Sequence, residues 1–330
     1  MPEKTVLVTG CSNGGLGAAM AKSYQARGFR VFATLRNRSK AGSLEEIEGI
    51  EILELDVTSE ESVFQCAKEV EKLTGGSLDI LVNNAATVTV MPLLDTPVDE
   101  AKKVYDSNVW AILSMTQAFA PMLIKSKGTV CNISSVSCEL VFAWQGTYSS
   151  SKAAMTRISE TLRLEMAPLG VRVVTVILGG VETTGNNPDN RKDLVLPANS
   201  YYQKIAAIIN HHQKGFIYTN KQNLDVAASN VVNDILCGRS GFIRRGQAST
   251  LSWILNTFLP YALTIYFANG ESGLGELGRK ADGMSNSLWA AIAFAPSLPP
   301  KPSPVNAKQL VGSRMAVSWV CDDDRDFMET

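Results

Sequence analysis

A tyrosine and a lysine stand four residues apart in the segment Tyr148-Ser149-Ser150-Ser151-Lys152. On a helix, positions i and i+4 lie on one face, so the phenol and the ammonium would point in the same direction. A phenol titrates at a pKa of about 10 in water, and a nearby cation lowers that pKa because it favours the phenolate. Tyr148 could then donate a proton to a developing alkoxide. By itself, the same spacing is also typical of a solvated helix face.

A glycine-rich segment, residues 9–17 (Thr-Gly-Cys-Ser-Asn-Gly-Gly-Leu-Gly), follows the first apolar stretch of the chain. Glycines let the backbone turn sharply and approach a pyrophosphate, while N–H groups at a helix start point toward the anion. The position between a predicted strand and a predicted helix favours a dinucleotide site over a plain strand–helix turn.

The end of the second predicted strand indicates which dinucleotide binds. An acidic residue there would accept hydrogen bonds from the adenosine ribose of NAD. This chain has Thr34-Leu35-Arg36-Asn37-Arg38 instead. Arg36 could pair with the 2′-phosphate of NADP, assisted by Thr34 and Lys40. We therefore expect NADP(H) rather than NAD(H); the alternative is an ordinary solvated basic loop.

The elements that must position these residues alternate along the chain. The sequence predicts strands at residues 4–9, 30–35, 50–55, 78–82, 128–133, 171–178 and, as an edge strand, 241–245. It predicts helices at residues 16–27, 99–125, 147 to about 169, 201–210 and 225–236, and one opened by Thr58 with Glu61 in a capping-box pattern. Most strands are apolar throughout, as in a parallel sheet covered on both faces. We expect an α/β fold with a doubly wound parallel sheet, a Rossmann fold, and a ligand at the carboxyl ends of its strands.

Three parts of the chain are distinguished by composition. We expect a nucleotide-binding and catalytic domain at residues 1–248, an apolar helical segment at 249–282 and a disordered tail at 283–330. Within the second part, residues 251–268 are apolar but shorter than the roughly 20 residues that span a bilayer. This stretch fits a membrane-surface helix, a hydrophobic lid, or a core or oligomer-contact helix.

Composition excludes other classes of function. Lys and Arg number 31 against 32 Asp and Glu, without a basic run, so nucleic acid is not an expected partner. Six scattered cysteines and the adjacent His211 and His212 offer no metal-ligand spacing, so no metal is expected, and we place both histidines on a surface helix. The start of the sequence lacks the pattern of a secretory signal. We expect a cytoplasmic protein, with peripheral association to an intracellular membrane or lipid droplet through residues 251–268 left open.

Taken together, these motifs resemble the short-chain dehydrogenase/reductase family over residues 4–183 and more weakly to about residue 270. That family joins a Thr-Gly-rich turn, an Asn-Asn-Ala-Gly run after the fourth strand and an Asn/Ser/Tyr/Lys tetrad. Here the run is Asn83-Asn84-Ala85-Ala86. Asn108 lies 27 residues before Ser135, which lies 13 before Tyr148, and these intervals match the usual ones of the family.

The resemblance implies a role for each member of the tetrad. Ser135 would hydrogen-bond the substrate carbonyl, and its spacing favours it over Ser134. Tyr148 would donate the proton. Lys152 would hold the nicotinamide ribose and lower the tyrosine pKa, and Asn108 would anchor a proton-relaying water. The implied cofactor contacts are Gly10 and Leu16 at the pyrophosphate, Asp56 and Val57 at the adenine, Asn84 on the adenosine side, and Val181 and Thr183 at the nicotinamide carboxamide.

The sequence departs from the family pattern at three places. The glycine turn is one residue longer than usual, with Gly14 and Gly15 doubled. Ala86 replaces a glycine, and Leu178 stands where the family normally has a proline. The last change bears on how the nicotinamide is placed.

The glycine-rich turn, residues 31–34 and residues 245–250 resemble one fungal branch of the family. That branch contains NADPH-dependent 1-acyldihydroxyacetone-phosphate reductases and reductases of secondary metabolism, and family habit implies homodimers or homotetramers. We expect an NADPH-dependent ketoreductase or alcohol dehydrogenase acting on a hydrophobic ketone or alcohol of terpenoid, polyketide or lipid metabolism.

Two alternatives stay open. The first is a 1-acyldihydroxyacetone-phosphate reductase proper, for which Arg191, Lys192 and Lys204 could bind the phosphate. The second is a catalytically silent NADPH-binding sensor or partner protein. The intact tetrad argues against it, because a binder needs neither Ser135 nor Tyr148.

Overall fold

One parallel sheet of seven strands organises the residues that the structure, a computed structural model, describes, namely 3–215 and 221–278. The strands are β1 (Thr5–Thr9), β2 (Arg30–Leu35), β3 (Ile50–Glu54), β4 (Ile80–Asn83), β5 (Thr129–Ile133), β6 (Arg172–Leu178) and β7 (Gly241–Arg245). Their order is β3-β2-β1-β4-β5-β6-β7, and each neighbouring pair is parallel. The chain reverses direction across the sheet between β1 and β4, which is the arrangement of a doubly wound fold. The predicted fold class is confirmed.

Helices cover both faces of this sheet. The helices of the described residues are α1 (Leu16–Gln25), α2 (Glu60–Thr74), α3 (Val98–Tyr105), α4 (Ala111–Ser126), α5 (Gly146–Met166), α6 (Ala206–Gln213), α7 (Leu224–Leu236), α8 (Ser249–Phe258), α9 (Tyr261–Ala268) and α10 (Leu274–Gly278). In β1, Val6 and Val8 pack in a core with α1 and α7, whereas Leu7 packs in a core with α2 and α4. Because successive residues of a strand face opposite sides, both sides must be apolar, which explains the continuous apolar strands.

The start of α2 differs from the prediction. Its N-cap is Ser59, whose hydroxyl accepts a hydrogen bond from the Ser62 N–H at 3.3 Å, so the predicted capping box of Thr58 and Glu61 is wrong. Thr58 instead donates its N–H and its O–H to the carboxylate of Asp56, at 3.0 Å and 2.8 Å. This local turn holds Thr58 outside the helix.

Two other predicted helices have a different extent. The helix predicted at 201–210 begins at Ala206, after a 3-10 turn at Gln203–Ile205. Residues 200–202 form a turn instead, in which the Tyr202 N–H donates to the Ser200 hydroxyl at 3.0 Å. The helix predicted at 99–125 is α3 and α4 joined by a π-helical turn, Asp106–Trp110. Such turns occur mostly inside longer helices and frequently at functional sites.

The apolar stretch 251–268 lies in two helices, α8 and α9, separated by Leu259 and Pro260. Proline has no N–H to donate, so it ends one helix and precedes the next. Beyond α9, Asn269 donates to the carbonyl of Val141 at 2.8 Å and the indole of Trp144 donates to the carbonyl of Ser272 at 2.9 Å. No helix in the described part of the chain is long and apolar enough to cross a bilayer. The tail predicted at 283–330 lies outside the described residues.

Candidate active site

The glycine-rich turn connects β1 to α1, and its glycines are required by close contacts. Gly10 and Gly14 have φ of +75° and +71°, a region that side chains with a Cβ rarely adopt. A Cβ on Gly17 would lie 2.6 Å from both the Asn84 amide nitrogen and the Gly10 carbonyl oxygen. No side chain caps α1, which begins at Leu16, so the first N–H groups of this helix are available to an anion.

A cavity of about 630 Å³ lies at the carboxyl ends of the strands. Ten of the residues predicted to bind the cofactor line it: Gly10, Leu16, Arg36, Lys40, Asp56, Val57, Asn84, Tyr148, Lys152 and Thr183. The other two predicted cofactor residues do not. Thr34 is buried within β2, and buried Val181 forms an isolated bridge with Gln222.

One end of this cavity carries positive charge and one carboxylate. Arg36 and Lys40 are exposed on the loop that follows β2. Burial by itself would raise the pKa of Asp56, but the hydrogen bonds from Thr58 and the charge of Arg36 outweigh it and lower that pKa. This end therefore presents two cations and an ionised carboxylate to a bound group.

At the other end, α5 brings Tyr148 and Lys152 together. The Lys152 ammonium nitrogen lies 6.0 Å from the centroid of the Tyr148 ring and donates to the Ile133 carbonyl at 2.8 Å. Lys152 is only 3% exposed. Loss of solvation lowers its pKa from the usual 10.5 to about 8. A buried ammonium and a half-buried phenol thus share one wall of the cavity.

Asn108 does not line the cavity and is fully buried in the π-helical turn. Its amide nitrogen donates to the Thr87 carbonyl at 2.9 Å and to the Ser151 hydroxyl at 3.0 Å, and its oxygen accepts from the Thr87 N–H at 2.7 Å. Both amide hydrogens are therefore used inside the protein. The side chain holds the loop after β4 against α5.

Ser134 and Ser135 follow β5, and their hydroxyls have different partners. The Ser134 hydroxyl lies 2.6 Å from that of Thr156. The Ser135 oxygen accepts from the Ser137 N–H at 3.2 Å, a bond that uses a lone pair and leaves its hydrogen for another acceptor. Of the two, Ser135 is the better placed to donate to a ligand oxygen.

A second cavity, of about 110 Å³, adjoins the first, and Tyr148, Ser134, Val88, Leu178 and Arg191 line both. Ser135 lines only the smaller one. Leu178, at the position of the usual family proline, therefore lies where the two cavities meet. The larger cavity suits an extended dinucleotide, and the smaller one suits the part of a substrate that faces Tyr148.

Some lining residues were not singled out as site residues from the sequence. His212, predicted to be a surface residue, is 7% exposed and lines the smaller cavity, and its Nε2 lies 3.0 Å from the Glu271 carbonyl oxygen. His211 is exposed, as predicted. Lys221 also lines the smaller cavity, and Thr184 donates its N–H to the Gly14 carbonyl at 2.9 Å. These contacts join segments far apart in the chain, so no local pattern signals them.

Comparison with known proteins agrees with this geometry. The sequence pattern of the short chain dehydrogenases matches residues 4–194, more than half of the 330 residues. The chain belongs to the short-chain dehydrogenase family. The resemblance stated from the motifs is confirmed, and as a member of this family the protein is an oxidoreductase.

Relatives of this short-chain dehydrogenase include fungal proteins. Short-chain dehydrogenase cctT of Talaromyces islandicus is 68% identical over 279 residues, which cover 84% of this chain and 99% of that protein. An NADPH-dependent 1-acyldihydroxyacetone phosphate reductase of Schizosaccharomyces pombe is 39% identical over 209 residues, which cover 63% of this chain and 70% of that protein. Among solved structures, a short-chain dehydrogenase from Streptomyces avermitilis matches with a TM-score of 0.66 and 25% identity, over 85% of this chain and 98% of that one.

Proposed function

We propose that this short-chain dehydrogenase is an NADPH-dependent ketoreductase or alcohol dehydrogenase for a hydrophobic ketone or alcohol, with Tyr148 as its proton donor. The observation that carries the proposal is the junction of the two cavities. There Tyr148 lines both cavities, Lys152 lines the larger cavity, and Ser135 lines the smaller one. A silent NADPH-binding protein would not need this convergence.

The larger cavity fits NADP(H) on three grounds. The glycine turn could hold a pyrophosphate, because Gly10, Gly15 and Leu16 line the cavity and no side chain caps the start of α1. Arg36 and Lys40 could pair with a 2′-phosphate. The reductase of Schizosaccharomyces pombe is named as NADPH-dependent. We propose that Asp56, Val57 and Asn84 line the adenosine part and Thr183 the nicotinamide part. Val181, which the resemblance also implies there, is buried beside the cavity and would act through the backbone that leads to Thr183.

When bound, NADPH would supply the hydride that reduces a carbonyl carbon. The residues of the chain handle the charge that builds on the carbonyl oxygen. Ser135 donates a hydrogen bond to this oxygen, and Tyr148 transfers a proton to it. Lys152, held by the Ile133 carbonyl, favours the tyrosinate left behind. Asn108 fixes α5 relative to the loop after β4. Because both of its amide hydrogens are used there, a relay water that it anchors would donate to one of its oxygen atoms.

The substrate class follows from the walls of the smaller cavity. Val88, Val90, Val136 and Leu178 give it an apolar side. This favours a lipid, terpenoid or polyketide ketone, consistent with lipid or secondary metabolism. The alternative, 1-acyldihydroxyacetone phosphate, is favoured by one observation, the presence of Arg191 in the lining. Lys192 and Lys204 are exposed and line neither cavity.

Helices α8 and α9 carry a second proposal. Their exposed apolar side chains include Leu251, Trp253, Ile254, Phe258, Tyr261, Leu263, Tyr266 and Phe267. Eight exposed apolar side chains on two successive helices are typical of a surface that contacts a protein or a membrane. We propose that residues 251–268, within the apolar segment 249–282 appended to the domain at 1–248, contact the surface of an intracellular membrane or lipid droplet or a second subunit of a homodimer or homotetramer, and that the protein acts in the cytoplasm.

The enzymatic proposal is tested with purified protein and NADPH. Loss of NADPH absorbance is followed against hydrophobic ketones and acyldihydroxyacetone phosphate, with NADH in a parallel series. We expect turnover of at least one ketone with NADPH and a lower kcat/KM with NADH. Binding of NADPH without turnover of any ketone, and without oxidation of any matching alcohol by NADP⁺, would favour the silent binder.

A further inference from the structure

The smaller cavity contains a polar side chain that the proposed mechanism does not use. Gln145, the N-cap residue of α5, lines this cavity but not the larger one, and it is only 4% exposed. We propose that the side-chain amide of Gln145 selects the substrate by hydrogen-bonding a second oxygen, so that the ketone carries a hydroxyl or carbonyl group beside the carbonyl that is reduced. This inference rests on the ketone chemistry proposed at Tyr148 and narrows its substrate class.

The amide of Gln145 is without a hydrogen-bond partner among the residues that the structure describes. It does not cap α5, although side chains at this position commonly accept from N–H groups of the first turn. By contrast, the hydroxyl of Ser134, another polar residue of the lining, pairs with that of Thr156 at 2.6 Å. A primary amide offers both N–H donors and an acceptor oxygen. Each of these is therefore available to a ligand in the cavity that Gln145 lines.

The backbone around Gln145 is fixed on both sides. Trp144 precedes it with a φ of +67°, a region that side chains with a Cβ rarely adopt. The Trp144 carbonyl accepts from the Met91 N–H at 2.7 Å, and the Trp144 indole donates to the Ser272 carbonyl at 2.9 Å. On the other side, the Gln145 carbonyl accepts from the Ser149 N–H at 2.8 Å. An unusual backbone conformation held by its surroundings is frequent at ligand-binding sites, and here it sets where the amide begins.

Gln145 lies near the proposed proton donor. It precedes Tyr148 by three residues at the start of α5, and residues three apart on a helix have Cβ atoms about 5–6 Å apart. Both residues line the smaller cavity together with Ser135. A carbonyl bound by Ser135 and Tyr148 would therefore place the neighbouring carbons of the substrate within reach of the amide. The second oxygen then lies a few bonds from the reacting carbon, as in a β-hydroxyketone or a β-diketone.

The surroundings of the amide explain why a second oxygen would be preferred. Val90, Val136 and Leu178 line the same cavity and favour a hydrocarbon chain. A plain hydrocarbon ketone would exclude water from the amide without replacing its hydrogen bonds, which is unfavourable for a buried polar group. A second oxygen on the substrate would restore such a bond. A site that hydrogen-bonds a substrate group discriminates strongly against the analogue without that group.

The test uses the full chain, saturating NADPH and ketones of equal chain length, namely a β-hydroxyketone, a β-diketone and a ketone without a second oxygen. The measured quantity is the ratio of kcat/KM for each oxygenated ketone to kcat/KM for the plain one. We expect this ratio to be about tenfold to a hundredfold higher in the wild type than in Gln145→Met for at least one oxygenated ketone, the effect of leaving a buried polar group unpaired. Comparison with the variant removes the difference in intrinsic reactivity between the ketones.

The ketones also identify which amide atom binds. An effect with both oxygenated ketones shows that an amide N–H donates to the second oxygen, because a carbonyl can only accept. An effect with the hydroxyketone alone shows that the amide oxygen accepts from the hydroxyl.

The variants separate the amide from the shape of the side chain. Methionine has nearly the length of glutamine but offers only a weak acceptor, and Gln145→Leu repeats the removal with a branched side chain. Thr147→Val is the matched control, because Thr147 is buried in the first turn of α5 and lines neither cavity. Its ratios should equal those of the wild type.

Ratios in Gln145→Met and Gln145→Leu that equal those of the wild type would overturn the inference. If no ketone is reduced at all, the proposed function fails, and the role of Gln145 is then judged by calorimetry. In that measurement the ketones are titrated into the wild type and Gln145→Met, each saturated with NADP⁺. Tighter binding of an oxygenated ketone by the wild type that is lost in the variant supports the role. Equal binding of all the ketones by the wild type, or binding of none, overturns it.

Discussion

The amide nitrogen of Asn108 donates a hydrogen bond to the hydroxyl of Ser151 at 3.0 Å. Ser151 stands in α5 between Tyr148 and Lys152, and its hydroxyl donates in turn to the Tyr148 carbonyl at 2.7 Å. Asn108 belongs to the π-helical turn between α3 and α4. This contact therefore couples that turn to the helix segment that carries the proposed proton donor and its cation.

Replacing Ser151 with alanine should weaken both the fold and catalysis. Both residues are fully buried, so the variant leaves an Asn108 amide hydrogen without its acceptor, at a cost of about 1–3 kcal/mol in the free energy of unfolding. We expect kcat to fall several-fold because Tyr148 is less firmly positioned, with the KM for NADPH nearly unchanged. Urea unfolding and steady-state kinetics measure the two effects.

Ser150→Ala is the matched control, because the Ser150 hydroxyl donates within α5 to the Thr147 carbonyl at 3.0 Å and lies on the exposed side of the helix. It should change stability and kcat little. Identical losses in the two variants would show that the Asn108 contact has no special part in positioning Tyr148.

The buried ammonium of Lys152 predicts a loss of activity at alkaline pH. Burial lowers the pKa of this lysine to about 8, so the cation that favours the tyrosinate is lost as the pH rises through that value. We expect kcat/KM for ketone reduction, which reports the free enzyme, to decline above a pH of about 8. A kcat/KM that stays level far above this pH would contradict the expectation.

The lowered pKa of Lys152 also makes the free energy of unfolding depend on pH. Between a pH of about 8 and 10.5 the unfolded chain binds the Lys152 proton and the folded protein does not. This group therefore makes the free energy of unfolding increase with pH in that window. The difference between wild type and Lys152→Met, measured by urea unfolding at several pH values, should show this increase.

Arg36→Asp should change the preference between the two dinucleotides. If Arg36 pairs with the 2′-phosphate, its loss removes a hydrogen bond between charged groups and raises the KM for NADPH about tenfold to a hundredfold. The carboxylate would also repel the phosphate and could accept from the ribose of NADH. Arg38→Asp is the control, because Arg38 pairs with Glu45 at 3.0 Å and does not line the cavity. An unchanged NADPH/NADH ratio in Arg36→Asp would remove this residue from cofactor recognition.

The apolar surface of α8 and α9 predicts association that depends on two exposed phenylalanines. Phe258 is 70% and Phe267 63% exposed. Phe258→Ser combined with Phe267→Ser should reduce either sedimentation with phospholipid vesicles or the molar mass measured by light scattering, and the assay that responds identifies the contact. Phe64→Ser on α2, also an exposed phenylalanine, should alter neither. If the double variant sediments and scatters as wild type does, neither a membrane nor a second subunit contacts this surface through these side chains.

Local patterns were sufficient to predict much of the fold. Strand positions followed from apolar runs such as Val6 to Val8, whose side chains face two separate cores. Helix geometry predicted that Tyr148 and Lys152 share a face, since residues four apart do so, whereas their roles came from the resemblance to the family. The glycine-rich turn between a strand and a helix was also predictable, although a Cβ on Gly10 or Gly17 would meet Ala85 or Asn84, which are distant in the sequence.

Features set by distant contacts could not be predicted. His212 is buried and contacts the carbonyl of Glu271, 59 residues later, and the sequence of α6 by itself gives no indication of that contact. Ser59 rather than Thr58 is the N-cap of α2, because Thr58 donates its N–H and O–H to the carboxylate of Asp56. Thr34 was expected beside the cofactor, but it is 1% exposed and does not line the cavity, because helices cover both faces of the sheet. The partners of Asn108 likewise required the folded chain.

The most direct test of the proposed mechanism is the kcat of Tyr148→Phe for a ketone that the wild type reduces, measured with the dissociation constant of NADPH. This substitution removes one hydroxyl and keeps the ring. We predict a kcat lower by about 10²- to 10⁴-fold, as expected for the loss of a general acid, with the NADPH dissociation constant unchanged. A Tyr148→Phe enzyme with the kcat of the wild type would contradict the account.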